Sequence, residues 1–177
     1  MHIIIDGYNL IRQSVALRRY ERISLEEGRR ALIRFAALYK RSKGHKVTVV
    51  FDGWEGGPAD EERDRQEGID IVYSRRGEKA DDVIKRMVQH RGEECAVVTS
   101  DRDIADFVSR RGGTAVSSQE FEALVDRGKD RVPEAQPRSD EGYDKDEDDG
   151  REGVKRKGPS RRLSRKKKAA MVTLRKL

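Results

Sequence analysis

One cysteine, three histidines, one tryptophan and no long apolar run leave several protein classes without material. A lone Cys95 excludes an intramolecular disulfide, and its place at the head of an apolar run marks it as a small buried residue. No stretch approaches the roughly 18–20 apolar residues of a membrane-spanning helix, and Met1–Ile5 is too short for the apolar part of a secretory signal. The expectation is a cytoplasmic protein without a membrane partner. Hydrophobic residues make up only 34% of the chain against 41% charged, too few for a core spread over all 177 residues.

That shortage is unevenly distributed. Apolar runs recur from Met1 to about Arg131 and then nearly vanish. The chain therefore divides into a compact domain over 1–130 and a low-complexity tail over 131–177, expected to be disordered. Charge divides with it. Residues 140–150 are acidic, 151–177 are strongly basic with Glu152 as their one acid, and 1–139 are nearly balanced. The net charge of +6 thus belongs to the tail, and a basic arm such as 155–168 (KRKGPSRRLSRKKK) favours a polyanion through phosphate contacts and counterion release. Leu163, Ala170, Met171, Leu174 and Leu177 would form a small apolar face if the last stretch became helical. The acidic stretch is expected to fold back on the arm and weaken nonspecific RNA binding.

Within 1–130, short apolar runs alternate with helical patterns. The runs are His2–Ile5, Val47–Phe51, Ile69–Tyr73, Ala96–Thr99 and Thr114–Val116. A helix is expected after Ser24, with Glu27 completing a capping box and Leu25, Leu32, Phe35, Ala36 and Tyr39 on one face. Further helices are expected over 79–90, 102–110 and 119–125. Residues 53–68, with three glycines and a proline in the first six, read as a mobile loop. Repeated strand–helix–strand units of this spacing predict an α/β fold with a central parallel sheet covered by helices on both faces.

Three of the runs end in aspartate: Asp6, Asp52 and Asp101. In a parallel sheet these ends share one edge, where such folds bind their ligands. Asp81 and Asp82 open a helix that leaves the same edge, and Asp103 follows Asp101. Two unit charges about 5 Å apart repel by roughly 3 kcal/mol at an effective dielectric of 20, so a cluster of this kind calls for protons or a cation. Oxygen donors without histidine or cysteine suit Mg²⁺ or Mn²⁺ better than zinc, and such an ion can activate water for phosphodiester hydrolysis. An aspartate at a helix start can equally be a plain N-cap, a reading that weighs most on Asp82 and Asp103.

Asp6-Gly7-Tyr8-Asn9, Phe51-Asp52-Gly53, Glu78-Lys79-Ala80-Asp81-Asp82 and Thr99-Ser100-Asp101 occur in the order and spacing of the YacP-like NYN nucleases, within the wider PIN-like group. The resemblance spans about Met1 to Val125; the charged segments from about Pro133 lie outside the pattern. It implies a three-layer α/β/α, Rossmann-like domain and a divalent-metal endoribonuclease. By motif position it makes Asp6, Asp81 and Asp101 the primary metal-binding acids, with Asn9 orienting the site. Asp52, Asp82 and Asp103 are then added ligands or supporting groups. Members of the bacterial branch look like ribosome-associated endonucleases that cut messenger RNA, which makes mRNA or rRNA the implied substrate and the ribosome an implied partner.

Arg75, Arg76, Lys79 and Arg102 lie near the presumed edge, and Arg12, Arg18 and Arg19 follow the first motif; all are candidates to hold the RNA backbone. Tyr8 and Trp54 are candidate base platforms. An aspartyl-phosphate phosphatase would want an acid at position 8, where Tyr8 stands, and a toprim-like site would want glutamate in place of Asp6. The remaining rival is an RNA- or ribosome-binding module without catalysis.

Overall fold

The computed structural model describes residues 1–53, 59–91 and 94–129. The elements run β1 (His2–Asp6), α1 (Gly7–Gln13), α2 (Val15–Glu21), α3 (Leu25–Lys43), β2 (Lys46–Phe51), β3 (Glu62–Gln66), β4 (Ile69–Tyr73), α4 (Ala80–Arg91), β5 (Cys95–Val98), α5 (Arg102–Arg110), β6 (Thr114–Val116) and α6 (Ser118–Lys129). Among the described residues, six strands form one sheet in the order β3-β4-β2-β1-β5-β6.

Side chains on a strand alternate between faces, and here both faces are covered. Ile3, Ile5, Val47, Val49, Ile69 and Ile71 point toward α1, α3 and α6, where Leu32, Ala36, Tyr39 and Phe121 meet them. Ile4, Val50, Val72 and Val97 point to the other side, against Val83, Ile84 and Val88 of α4 and Ile104 and Val108 of α5. Strands sandwiched in this way lose polar alternation, which is why β1 reads HIIID with every position buried. Burying one such aliphatic side chain is worth about 1.5–3 kcal/mol. Cys95 is buried as expected.

The three-layer α/β/α arrangement is thus present, with three departures from the sequence reading. First, the sheet is not wholly parallel. β3, inside the segment read as a loop, pairs antiparallel with β4 through a two-residue turn at Glu67 and Gly68. Both turn residues have positive φ, 50° and 78°, the backbone that two-residue hairpins with right-twisted strands require. All five β3 residues (ERDRQ) are exposed, and charge on an edge strand discourages pairing with another chain. Second, two short helices precede α3. Ser14 ends α1 and caps α2, its hydroxyl accepting the Leu17 N–H at 3.1 Å. Third, the capping box at α3 is half made. The Ser24 hydroxyl accepts the Glu27 N–H, but the Glu27 carboxylate goes to Arg30, and Leu25 is exposed instead of facing the core.

The chain runs outward from β1 to β2 and β4, then returns to the other side of β1 at β5. The strand order therefore reverses at β1/β5, the place where open α/β sheets leave a crevice beyond their C-terminal ends. Asp6 and Asp101 flank that point. Trp54 and all of 131–177, including the basic arm, its apolar face and the acidic stretch, lie outside the described residues.

Candidate active site

Asp6 is the last residue of β1 and the N-cap of α1, accepting the Asn9 N–H at 3.3 Å. Its neighbour Gly7 leaves no room for a side chain, since a Cβ would stand 2.4 Å from the Phe51 ring. Asp101 caps α5, accepting the N–H groups of Asp103 at 2.7 Å and Ile104 at 3.3 Å. Asp52 reaches from the end of β2 to the Ala80 N–H at 2.7 Å, fastening the start of α4. Asp81, half-buried, follows on the first turn of that helix. Capping explains the positions of Asp6, Asp52 and Asp101 locally. It does not explain why four helix or strand ends bring their acids to one edge.

These acids lie within electrostatic reach of one another. Asp6 is buried, and that burial pushes its carboxyl from 3.8 to about 6, with the charges of Asp81 and Asp52 adding to the rise. The Asn9 N–H and the Thr99 hydroxyl act the other way. Asp81 is also raised, first by burial and then by Asp101, Asp52 and Asp82, while Lys85 opposes. Asp6 thus feels the charges of Asp81 and Asp52, and Asp81 those of Asp101, Asp52 and Asp82. Asp82 is exposed and faces a groove with Arg75, Arg76 and Glu78. Asp103 gives its N–H to Asp101 while its carboxylate stays exposed.

Two further groups organise the edge. Asn9 Oδ1 accepts the Ser100 N–H at 2.9 Å, joining α1 to the end of β5. The buried Thr99 hydroxyl donates to Asp6 Oδ2 at 3.3 Å and accepts the Asp101 N–H at 3.1 Å, so one oxygen links two acids. Ser74 does similar work on the other side, accepting the Gly53 N–H at 2.9 Å and donating to the Glu78 carbonyl at 2.6 Å. The sequence reading passed over Thr99 and Ser74 as site residues; a hydroxyl one or two positions from a strand-end acid was the available signal. Thr99→Val keeps the shape and removes the link. The orphaned Asp101 N–H should cost about 1–3 kcal/mol, read in urea unfolding.

The basic residues are placed less uniformly. Arg12 pairs with Glu21 at 3.3 Å and lies over the Tyr8 ring, 5.5 Å from its centroid. Tyr8 is half-buried, its ring edge-on to Phe51 at 5.1 Å, so one aromatic face is already in use. Arg75 pairs with Glu78 at 3.4 Å, and Glu78 also holds Arg86. Arg76, Lys79 and Arg102 are exposed beside the edge, while Arg18 and Arg19 are exposed on α2.

Oxygen-only donors and an excess of negative charge match a hard divalent cation. Among the described residues, however, no three acidic, histidine or cysteine side chains are already drawn together tightly enough to hold one. The donor chemistry fits, and an ion would gather carboxylates that now repel one another.

A mostly parallel sheet between two helical layers, with acids at its C-terminal strand ends, is the arrangement expected of the PIN-like class. The YacP-like NYN domain model matches residues 3–176, and the chain belongs to that family. The match takes in the charged segments, which the motif resemblance had left outside. Uncharacterized protein YacP of Bacillus subtilis (strain 168) is 30% identical over 87 residues, or 49% of this chain and 51% of that protein. The aligned region is thus about half the length of that curated relative. A crystal structure of Rae1 (YacP) from Bacillus subtilis aligns with a TM-score of 0.61 and 26% identity, covering 74% of this chain and 76% of the other. A crystal structure of a point mutant of that same protein gives 0.61 and 25%, over 73% and 77%.

Proposed function

We propose that the chain is an endoribonuclease that hydrolyses RNA phosphodiester bonds at the acidic sheet edge with Mg²⁺ or Mn²⁺. The observation that carries this is the gathering of Asp6, Asp52, Asp81 and Asp101 at one sheet edge, where burial, then Asp81 and Asp52, lift Asp6 to about 6 and Asp101 acts on Asp81. Asp6, Asp81 and Asp101 would hold the ion, with Asp52, Asp82 and Asp103 as added ligands or supporting charges. When bound, the ion supplies Lewis-acid activation of water and neutralises charge on the phosphate.

The residues of the chain divide the remaining work. Asn9 fixes α1 against the end of β5, and its carboxamide nitrogen is left to donate to a phosphate oxygen. Asp52 holds α4, and with it Asp81, at the edge. Tyr8, Arg12, Arg75, Arg76, Lys79 and Arg102 line the approach and take backbone phosphates or a base. The domain over 1–130 carries the chemistry, while 131–177 supplies a charged arm for a polyanion, with mRNA or rRNA on the ribosome as the cytoplasmic target.

Labelled RNA incubated with the full chain and Mn²⁺ or Mg²⁺ should be cut internally, and both EDTA and Asp101→Asn should stop it. Cleavage that survives both controls overturns the metal site. RNA binding without any cleavage points instead to a non-catalytic binding module. Co-sedimentation with ribosomes tests the proposed partner separately.

A further inference from the structure

Two adjacent arginines on α3 meet different fates. Arg30 is neutralised locally, by Glu26 and by Glu27 at 3.1 Å. Arg29 is half-buried and has neither an ion pair nor a hydrogen bond among the described residues, and its Nε–H is shielded from water with no acceptor. A guanidinium has no neutral form to retreat to, so leaving its donors unpaired is costly. In a chain with 33 acids, an unpaired and half-buried arginine marks a place for an anion brought from outside.

The surroundings specify which anion. Arg29 lies over the Tyr73 ring, 5.7 Å from its centroid, and Tyr73 stacks on Phe51 at 5.7 Å. Phe51 in turn meets Tyr8, beneath Arg12. An arginine–aromatic band therefore runs from Arg29 to Arg12 along the C-terminal edge, passing Asp6 at Tyr8. Arg29 opens onto a groove of about 330 Å³ shared with Tyr73, Ile33, Gln66 and the Glu26–Arg30 ion pair, whose charges offset each other, large enough for a small ligand group. Glu62, opposite Tyr73 in the ladder, is exposed and leaves Arg29 unpaired.

We propose that Arg29 is a phosphate-binding subsite for the single-stranded RNA flanking the cleavage point, with Tyr73 as the positioning residue that holds the guanidinium over the groove. This rests on the nuclease reading for the direction of the strand, which crosses the acidic edge, passes Tyr8 and reaches the α3 side of the sheet. A planar fork of donors suits a phosphodiester oxygen pair.

The test measures binding of a fluorescent single-stranded oligoribonucleotide to the full chain carrying Asp101→Asn, in EDTA, across a salt series. Adding Arg29→Gln should lower affinity about ten-fold and reduce the slope of log K against log salt by about 0.7, the value of one phosphate contact on a single strand. Arg29→Lys should keep that slope, because the charge remains. Tyr73→Leu should weaken binding a few-fold at an unchanged slope. An Arg29→Gln protein with the parent's slope and affinity, and an unaltered melting temperature, overturns the subsite. A Tyr73→Leu protein that binds like the parent overturns the positioning role. Because binding is read without turnover, a chain that cleaves nothing but shows the slope change refutes the nuclease reading and keeps the subsite. Cleavage by the parent with an unmoved slope refutes the subsite alone.

Discussion

Asp6→Asn should melt at a higher temperature than the parent above pH 7 in EDTA, and should cleave no RNA. The two effects have one cause. Asp6 is 7% exposed, and burial, then Asp81 and Asp52, lift its folded value to about 6 from 3.8. A raised folded value means that the folded state binds the proton more tightly than the unfolded chain does. Its contribution to stability is complete below pH 3.8 and is lost as pH rises through about 6. Above that, holding Asp6 ionised costs about 3 kcal/mol, at 1.36 kcal/mol for each unit. Asparagine keeps an oxygen for the Asn9 N–H and never ionises, so the cost disappears. For a domain of this size the gain is roughly 10 °C. Thermal melts at about pH 3.5 and pH 8 check it: the two proteins should nearly coincide at the lower pH and separate at pH 8, with about half of the gap already open near pH 5. Adding Mg²⁺ should raise the parent and narrow the gap, because an ion that binds only the folded state stabilises it by mass action. Equal melting at both pH values would mean that Asp6 carries no such burden.

The same burden explains how much of the site was legible in the sequence. Acids that end apolar strands are conspicuous because a buried run must stop where a charge begins, so Asp6, Asp52 and Asp101 could be placed on one edge from strand parity and direction alone. The helix carrying Asp81 followed from its apolar spacing. β3 could not be read, because a fully exposed edge strand has no apolar face to alternate, and its Glu67–Gly68 turn lacks the asparagine or aspartate that usually announces such a hairpin. α1 and α2 were hidden by their length, seven residues each, and by Ser14, which ends one and begins the other.

Arg29 marks the limit of a linear reading. Arg29 and Arg30 are chemically identical neighbours, and nothing in the sequence ranks one above the other. The distinction comes from helical phase against a strand more than forty positions away, and from Glu26 and Glu27 capturing only Arg30. Thr99 is similar. A threonine at a strand end is ordinary, and its bridging role exists only once β1 and β5 lie side by side in register, Ile5 against Val98.

Asp101 separates charge from capping more sharply than any other position. Its carboxylate both caps α5, through the N–H groups of Asp103 and Ile104, and adds to the field that raises Asp81. Asp101→Asn preserves the cap, since asparagine and aspartate are equivalent there, but removes the charge. Its unfolding free energy should stay close to the parent's, while RNA cleavage falls by about two to three orders of magnitude, the scale for losing one preorganised electrostatic group. Asp101→Ala removes both, and should lose cleavage to the same extent and about 1 kcal/mol of stability besides. Urea unfolding and single-turnover cleavage measured on both variants make the comparison. If the alanine variant were destabilised while both variants cleaved at the parental rate, Asp101 would be a cap and nothing more. If cleavage vanished in both while stability fell only in the alanine variant, the negative charge itself would be what the reaction needs.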